Sequence, residues 1–479
     1  MDELILQFDD SLKQNLYIQI YNQLKDSILA GELPPGTKLP SLRNLSKKNR
    51  VSMTTVEAAY NQLLVEGYIV SRPKSGYYVS DSIGSAVGHA KEESAKTLEE
   101  LLPPESSKTP KERELIYDEA NFEFSKWKKC MNKVFNEYAY ALQTEADVQG
   151  EEVLRYEIAR YLFASRGVRC TPEQVVIGAG SQQLTAHLIR IMREIGITNA
   201  AAEMPGYAPV RAMFKDEGFS LANIPVRGNG IAIEKLPVNL RSVVYVSPSN
   251  QYPSGAVMPV GRRYELLQWA EENDSYIFED DYDSELRYFG KPVPALQGLD
   301  TNGHVIYLGS FSATLFASIK ISYMVLPEEL VEVFDRIKDR YSQTCSKAEQ
   351  ICLALYMEEG YYHRHIKKCR RLNAEKLETA LAEVKKNGEG LVTAENSRSG
   401  LALMLRCRTV FSAEDLCEIA NRVGLKMSPV EDLCTEEEQV LNFYYYRVSK
   451  PLLQILIKMF VGNVKKFTAQ AMKQAETRK

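Results

Sequence analysis

No run of 18 apolar residues occurs anywhere in the 479-residue chain, which argues against a membrane-spanning helix. The first residues, Met1, Asp2 and Glu3, are acidic where a secretory leader is basic and then apolar, so a cytoplasmic protein is expected. Cysteine is sparse and scattered. Its eight copies (130, 170, 345, 352, 369, 407, 417 and 434) form no Cys-x-x-Cys and no Cys/His cluster of metal-ligand spacing. The thiols are therefore read as reduced and mostly buried, with no metal assigned. An excess of charge of either sign is also missing. With 59 Lys and Arg against 63 Asp and Glu, the formal net charge is −4. That balance excludes nucleic acid coating the whole surface, but it can hide a local basic patch. Hydrophobic content of 44% and charged content of 25% are ordinary for folded proteins and exclude collagen-like and disordered classes. The length exceeds the roughly 300 residues one core supports, so two or three domains are expected.

Between residues 12 and 30, Leu16, Tyr17, Ile20, Tyr21, Leu24 and Ile28 recur at spacings of three and four, one apolar stripe on a helix. The helix ends at Gly31, Pro34-Pro35-Gly36 then forbids helix, and Ser41 caps a short helix carrying Leu42 and Leu45. A further helix follows, capped by Ser52, with Val56, Ala59, Tyr60, Leu63 and Leu64 on its buried face and a stop at Glu66-Gly67. Tyr68-Ile69-Val70 and Tyr77-Tyr78-Val79 flank Arg72-Pro73-Lys74-Ser75-Gly76, which reads as a hairpin with a basic tip. Three helices and a hairpin in this order describe a winged helix-turn-helix.

The hidden basic patch lies here. Between Thr37 and Gly76 stand seven Lys or Arg (38, 43, 47, 48, 50, 72 and 74) and two acids, Glu57 and Glu66, a local balance of +5. In this reading Ser52, Met53, Thr54 and Thr55 face the major groove, and Arg43, Lys47 and Lys74 hold phosphates or the minor groove. A solvated basic face is the bland alternative. The stretches Leu33-Pro-Pro-Gly-Thr-Lys-Leu-Pro-Ser-Leu-Arg43, Val51-Ser-Met-Thr-Thr-Val-Glu-Ala-Ala-Tyr60 and Leu63-Leu-Val-Glu-Gly67 closely resemble the GntR family of bacterial transcription regulators. That likeness implies operator DNA as a partner. The family usually has arginine after the cap serine, and this chain has Met53, so one base-edge donor is missing.

A stretch rich in Ser, Glu, Lys and Pro follows, from Ser80 to about Arg113. It suits a tether, with a short helix over Ala95 to Leu102 as an option. The expected domains are thus 1–80, a linker at 81–114 and a large segment at 115–479.

The large segment alternates helical stripes (150–166, 181–194 and 260–272) with the runs Val175-Val176-Ile177, Val243-Val244-Tyr245-Val246 and Tyr276-Ile277-Phe278. That alternation predicts an α/β fold with a largely parallel sheet and sites at strand ends. Gly178-Ala-Gly-Ser181-Gln182 follows one strand and opens a helix, where free N–H groups can hold a phosphate. Glu279-Asp280-Asp281-Tyr282-Asp283 places four carboxylates beside an apolar strand. A solvated loop or a divalent-metal site are the alternatives there. Val305-Ile-Tyr-Leu-Gly-Ser310-Phe-Ser312 ends a further strand in hydroxyls.

Taken together with Glu203-Met-Pro-Gly-Tyr207, Pro248-Ser-Asn-Gln-Tyr-Pro-Ser-Gly255, Glu279-Asp-Asp-Tyr-Asp-Ser-Glu285 and Ile321-Ser-Tyr-Met-Val-Leu-Pro327, these motifs resemble fold type I of the pyridoxal phosphate (PLP) enzymes, the aminotransferase fold. A GntR-like winged helix fused to such a domain resembles the MocR group of regulators. The resemblance implies that Gly180, Ser181 and Gln182 hold the cofactor phosphate with Ser310 and Ser312, and that Tyr207 stacks on the ring. Asp280 pairs with the ring nitrogen and Tyr282 with the ring hydroxyl. Asn250 is a weaker neighbour of the ring, since the usual turn asparagine is Tyr252 here. Arg447 takes a ligand carboxylate.

One departure falls at the centre of the site. The family reads Gly-Thr/Ser-Phe-Ser-Lys, its lysine binding PLP covalently, where this chain reads Gly309-Ser-Phe-Ser-Ala313. The usual phosphate arginine is Lys320, and Phe316 also departs, which favours drift of the site over a single engineered exchange. A methyl group forms no imine and moves no proton. Catalysis is therefore not expected, and PLP is expected only non-covalently, as an imine already formed with an amino acid, or not at all. The expected protein is a homodimeric transcription regulator sensing a small-molecule effector. The rivals are an active aminotransferase with an accessory DNA-binding domain, and a dimer whose large domain is only structural.

Overall fold

The computed structural model describes residues 6–8, 14–73, 75–82, 122–228, 230–288, 293–395 and 399–477. The chain divides into two compact units, Met1–Ser107 and Lys108–Lys479. Residues 83–121, which include most of the tether expected at 81–114 and its optional helix, and Lys74 lie outside the described residues.

In the first unit, α1 (Leu16–Leu29), α2 (Leu42–Asn49) and α3 (Met53–Val65) precede a hairpin of β1 (Ile69–Arg72) and β2 (Gly76–Val79). The apolar stripes read from sequence meet in one core of Ile20, Leu24, Ile28, Leu45, Val56, Ala59, Tyr60, Leu63, Ile69 and Val79. Ser41 Oγ accepts from the Asn44 amide and Ser52 Oγ from the Thr55 amide. Each cap satisfies a helix-end donor, an effect of about 1 kcal/mol. The Tyr60 hydroxyl donates to the Pro40 carbonyl at 2.9 Å, locking α3 against the turn before α2.

The second unit opens with α4 (Phe124–Glu137) and α5 (Glu152–Arg166). Then come β3 (Val175–Gly178), α6 (Ser181–Glu194), β4 (Asn199–Met204), α7 (Ala208–Asp216), β5 (Ser220–Arg227) and β6 (Gly230–Ile231). They are followed by β7 (Val243–Val246), α8 (Val260–Glu272), β8 (Tyr276–Asp280), β9 (Val305–Ser310), β10 (Ser322–Val325) and α9 (Glu328–Ile337). The sheet order is β3-β10-β9-β8-β7-β4-β5-β6. Neighbours from β9 through β5 pair in parallel. β10 runs antiparallel to both neighbours, a departure from uniform parallel pairing that the residue pattern does not disclose.

Side chains alternate between two covered faces, which is why these strands read as continuous apolar runs. Val243 and Tyr245 pack under α6, α7 and α9, while Val244 and Val246 pack under α8. The chain continues through α10 (Lys347–Glu358) and the 28-residue α11 (Tyr361–Gly388) to a smaller lobe. That lobe is an antiparallel sheet, order β11-β12-β14-β13, of β11 (Val392–Glu395), β12 (Leu403–Arg408), β13 (Met427–Pro429) and β14 (Glu438–Phe443). It packs on α12 (Ala413–Val423) and α13 (Lys450–Thr477). Five of the eight cysteines are buried and three half-buried. Among the described residues no helix is long and apolar enough to cross a membrane.

Candidate functional site

On the first unit, the α3 N-terminus carries three clustered hydroxyls. Ser52 Oγ lies 2.8 Å from Thr54 Oγ1 and 2.6 Å from Thr55 Oγ1, so the cap also orients both threonines. Ser52, Met53 and Thr54 are exposed, as are Arg43 and Lys47 on α2. A helix start with free N–H groups beside exposed cations is chemically suited to a polyanion.

On the second unit, every cofactor candidate sits at or just after the C-terminal edge of a sheet strand or at the turn before β10. Gly180 caps α6 with φ 96 and ψ 166, a conformation reserved for glycine. A Cβ built there would meet nothing within 4 Å, so space lies open before the first turn of α6. The register of β10 then joins two motifs, because Ser322 pairs with Gly178 on one side and with Ser310 on the other. Ser322 Oγ donates to Ser310 Oγ at 2.9 Å, and the Ser312 amide donates to Ser310 Oγ at 3.3 Å. The loop of Gly180, Ser181 and exposed Gln182 and the hydroxyls of Ser310 and Ser312 thus flank a single strand. Lys320, exposed and with φ 48, precedes that strand by two residues. Ala313 is half-buried in the turn after β9.

The carboxylate run is not a solvated loop: Glu279, Asp280, Asp281 and Asp283 are all buried. Each has its own partner. Glu279 accepts from the Leu296 and Gln297 amides at 2.7 and 2.9 Å. Asp280 accepts from the Tyr245 hydroxyl. Asp281 takes Arg166 Nε at 2.8 Å and the Tyr307 hydroxyl at 2.5 Å. Asp283 takes Asn250 Nδ2 at 2.9 Å on both oxygens. Ser399 Oγ donates to Asn250 Oδ1 at 3.0 Å, and a Cβ at Gly400 would come within 2.5 Å of Asn250 Nδ2. Asn250 is therefore committed to Asp283 and reaches the Tyr282 hydroxyl only at 3.4 Å. Among the described residues no cluster of three His, Cys, Asp or Glu could hold a metal ion.

The electrostatics separate these acids. Burial pushes the Asp280 carboxyl up to about 7, against the pull of the Tyr245 hydrogen bond. Burial likewise lifts Asp283 to about 8 despite Asn250, and Glu203 to about 8 despite the Ser247 amide and Gln251. Burial raises Asp281 too, but the Arg166 charge and the Tyr307 bond hold it below the usual carboxylate range. Tyr207, lifted by burial, has its hydroxyl at Ser181 with the Asp280 charge nearby. Among the described residues Asp280 has no ion pair, and a protonated ring nitrogen would fit that lack. The open helix start and the paired serines fit a phosphate.

Arg447 stands apart from these buried groups. It is exposed just after β14, with Nε 3.1 Å from the Tyr446 hydroxyl. The smaller lobe meets the site through Tyr252, whose hydroxyl faces Asn442, Tyr444 and Ser428. Arg211 adds an ion pair to Asp432 at 3.4 Å. Sequence reasoning missed Tyr245, Glu203 and Arg166. A single tyrosine within the apolar run Val243 to Val246 was the one available signal for Tyr245.

The raised acids give a pH prediction. Each is protonated in the folded chain and ionised in the unfolded one at intermediate pH, so its contribution is present in acid and lost as pH rises through about 7 to 8. Glu203→Gln should flatten the fall of unfolding free energy between about pH 5 and 8 by about 1.4 kcal/mol per pH unit. Urea titrations at several pH values measure this, and a slope equal to the wild type's would show Glu203 to be ionised.

Comparison with known proteins agrees with this architecture. Residues 16–79 match bacterial regulatory proteins, gntR family, and residues 115–448 match aminotransferase class I and II. The chain is 39% identical over 419 residues to the uncharacterized HTH-type transcriptional regulator YdeL of Bacillus subtilis (strain 168), covering 87% of this chain and 89% of that protein. It is 34% identical over 428 residues to the probable rhizopine catabolism regulatory protein MocR of Rhizobium meliloti, covering 87% and 86%. With the HTH-type pyridoxine biosynthesis transcriptional regulator PdxR of Corynebacterium glutamicum it shares 32% over 357 residues, covering 74% and 75%. Among solved structures, a kynurenine aminotransferase from Pyrococcus horikoshii aligns with TM-score 0.63 at 23% identity, over 73% of this chain and 89% of that one. A multiple substrate aminotransferase from Thermococcus profundus aligns with TM-score 0.63 at 22% identity, over 78% and 97%. At such identity the likeness establishes the fold. The chain therefore belongs to the MocR- and PdxR-type transcriptional regulators, in which a GntR helix-turn-helix domain and an aminotransferase class I and II domain are joined in one polypeptide.

Proposed function

We propose that this regulator is cytoplasmic and homodimeric, reads operator DNA through residues 1–80, and uses residues 115–479, tethered by 81–114, to sense PLP, an amino acid or their adduct without catalysis. The reading is supported by Ala313, which stands where the resemblance expects the lysine, together with Gly180, Ser181, Tyr207, Asp280, Ser310 and Ser312 at the ends of neighbouring strands of one sheet.

When bound, PLP would supply a phosphate, a ring nitrogen and an aldehyde to that pocket. The Gly180–Gln182 amides and the Ser310 and Ser312 hydroxyls hold the phosphate, and Lys320 adds a point charge. Asp280, oriented by Tyr245, holds a proton at the ring nitrogen, while Tyr207 covers the ring and Tyr282 takes its hydroxyl. Arg447 binds an effector carboxylate in a bidentate fork. The Ala313 methyl group neither bonds to the ligand nor moves a proton, so occupancy follows concentration. A second copy is supported by the exposed apolar side chains of Phe135, Tyr140, Tyr156 and Phe163 on and between α4 and α5. Sedimentation is expected to give a dimer, and a monomer at operator-saturating concentration would remove the second copy.

At the DNA, Ser52, Thr54 and Thr55 enter the major groove while Arg43 and Lys47 neutralise phosphates. Lys74 is assigned the same task from sequence alone. Arg43→Ala should weaken operator binding by about tenfold per engaged winged helix at low salt and reduce the salt slope by about one per engaged winged helix. Titration of a selected duplex at several salt concentrations tests this. An affinity and slope equal to the wild type's would remove Arg43 from the interface.

A further inference from the structure

Arg50 ends α2 with φ 54 and ψ 38, the left-handed region that a helix end normally gives to glycine. Five non-glycine residues adopt positive φ among the described residues: Arg50, Asn239, Asp274, Lys320 and Glu389. Asn239 and Asp274 tolerate it through short polar side chains. Glu389 has an ion pair with Lys465 at 2.8 Å, and Lys320 belongs to the pocket above. Arg50 is exposed, and among the described residues its guanidinium has no ion pair, hydrogen bond or ring contact. Arg72, by contrast, lies 3.7 Å from Asp81 and over the Tyr78 ring. A costly backbone beneath an idle cation points to a partner outside the chain.

Placement indicates which partner. Arg50 follows Lys47 and Lys48 and precedes Ser52, the cap of α3, by two residues. Its charge therefore lies beside the helix start assigned to DNA, next to an exposed Met53 whose side chain can donate no hydrogen bond. We propose that Arg50 contacts a DNA backbone phosphate flanking the point where α3 enters the groove, a contact that sets register on the duplex. This rests on the assignment of α3 as the groove-entering helix.

The test titrates the whole chain against an operator duplex obtained by in vitro selection and against an unrelated duplex, across a salt series. Arg50→Gly and Arg50→Asn both suit left-handed backbone. Each should lower the slope of log K against log[salt] by about one per engaged winged helix and weaken both duplexes equally, about eightfold per winged helix at 0.1 M salt. Arg50→Lys should keep the wild-type slope, and Arg50→Gly should melt at or above the wild-type temperature. An unchanged slope in both neutral variants overturns the contact. A loss confined to the selected duplex also overturns it, because that signature belongs to a base edge. Failure of the wild type to bind either duplex would overturn the groove assignment and this contact with it.

Discussion

Ala313→Lys is expected to turn a chain that PLP cannot label into one that carries it covalently. After incubation with PLP and reduction with borohydride, the intact mass of the wild type should be unchanged, and the variant should gain one cofactor per chain. The turn carrying residue 313 follows β9, whose end supplies Ser310, and β9 lies beside β8, whose end supplies Asp280. In the proposed reading the phosphate and ring-nitrogen partners do not depend on the residue at 313, and the exchange adds an amine at the position where the resemblance expects one. Lys320 is the competing amine, but it stands exposed two residues before the strand that separates the two serine and glycine loops. An adduct on wild-type Lys320 would overturn the account of a pocket without covalent capture. An Ala313→Lys chain that still takes no PLP would favour a purely structural second unit.

The largest stability effect is expected at the pair of Arg166 and Asp281. Their side chains are 6% and 0% exposed, and Arg166 also donates to the Val293 carbonyl at 2.8 Å and to Ser249 Oγ at 2.9 Å. Asp281→Ala leaves a buried guanidinium without its counter-charge and deprives the Tyr307 hydroxyl of its acceptor, a loss of about 3 to 5 kcal/mol. Replacing both partners by apolar residues of similar volume should cost less than either single change, because no bare charge remains. Urea unfolding followed in the second unit distinguishes these cases. A single-variant loss below about 1 kcal/mol, the range of exposed pairs, would mean that water reaches this site.

Much of this architecture is legible in the residues, and the missing parts share a cause. The apolar runs 175–177, 243–246 and 276–278 announce strands because burial on both faces leaves no polar alternation to confuse them. Caps at Ser41 and Ser52 mark helix starts through chemistry confined to four residues. Pairing is different. The insertion of β10 between β3 and β9 is a long-range choice, and nothing in Ser322 to Val325 signals its direction. The strands of the smaller lobe carry no clear residue signal, since β12 mixes buried Leu403 and Leu405 with Arg406 and Arg408. In the site, the resemblance supplied Asp280 and Ser310 by motif. Arg166, which lies 115 residues from Asp281 in the chain, had no motif to announce it. Its role emerges only when α5 and β8 are packed together.

As a sensor, the protein is proposed to change how its first unit meets DNA when its second unit is loaded. Titration of the whole chain against its selected duplex, with and without PLP plus an amino-acid mixture, measures this directly, with the visible spectrum of the same sample reporting occupancy. A sensor should shift duplex affinity at least fivefold, since couplings between sites are usually about 1 to 3 kcal/mol. Superimposable isotherms from a sample whose spectrum shows the pocket filled would contradict it.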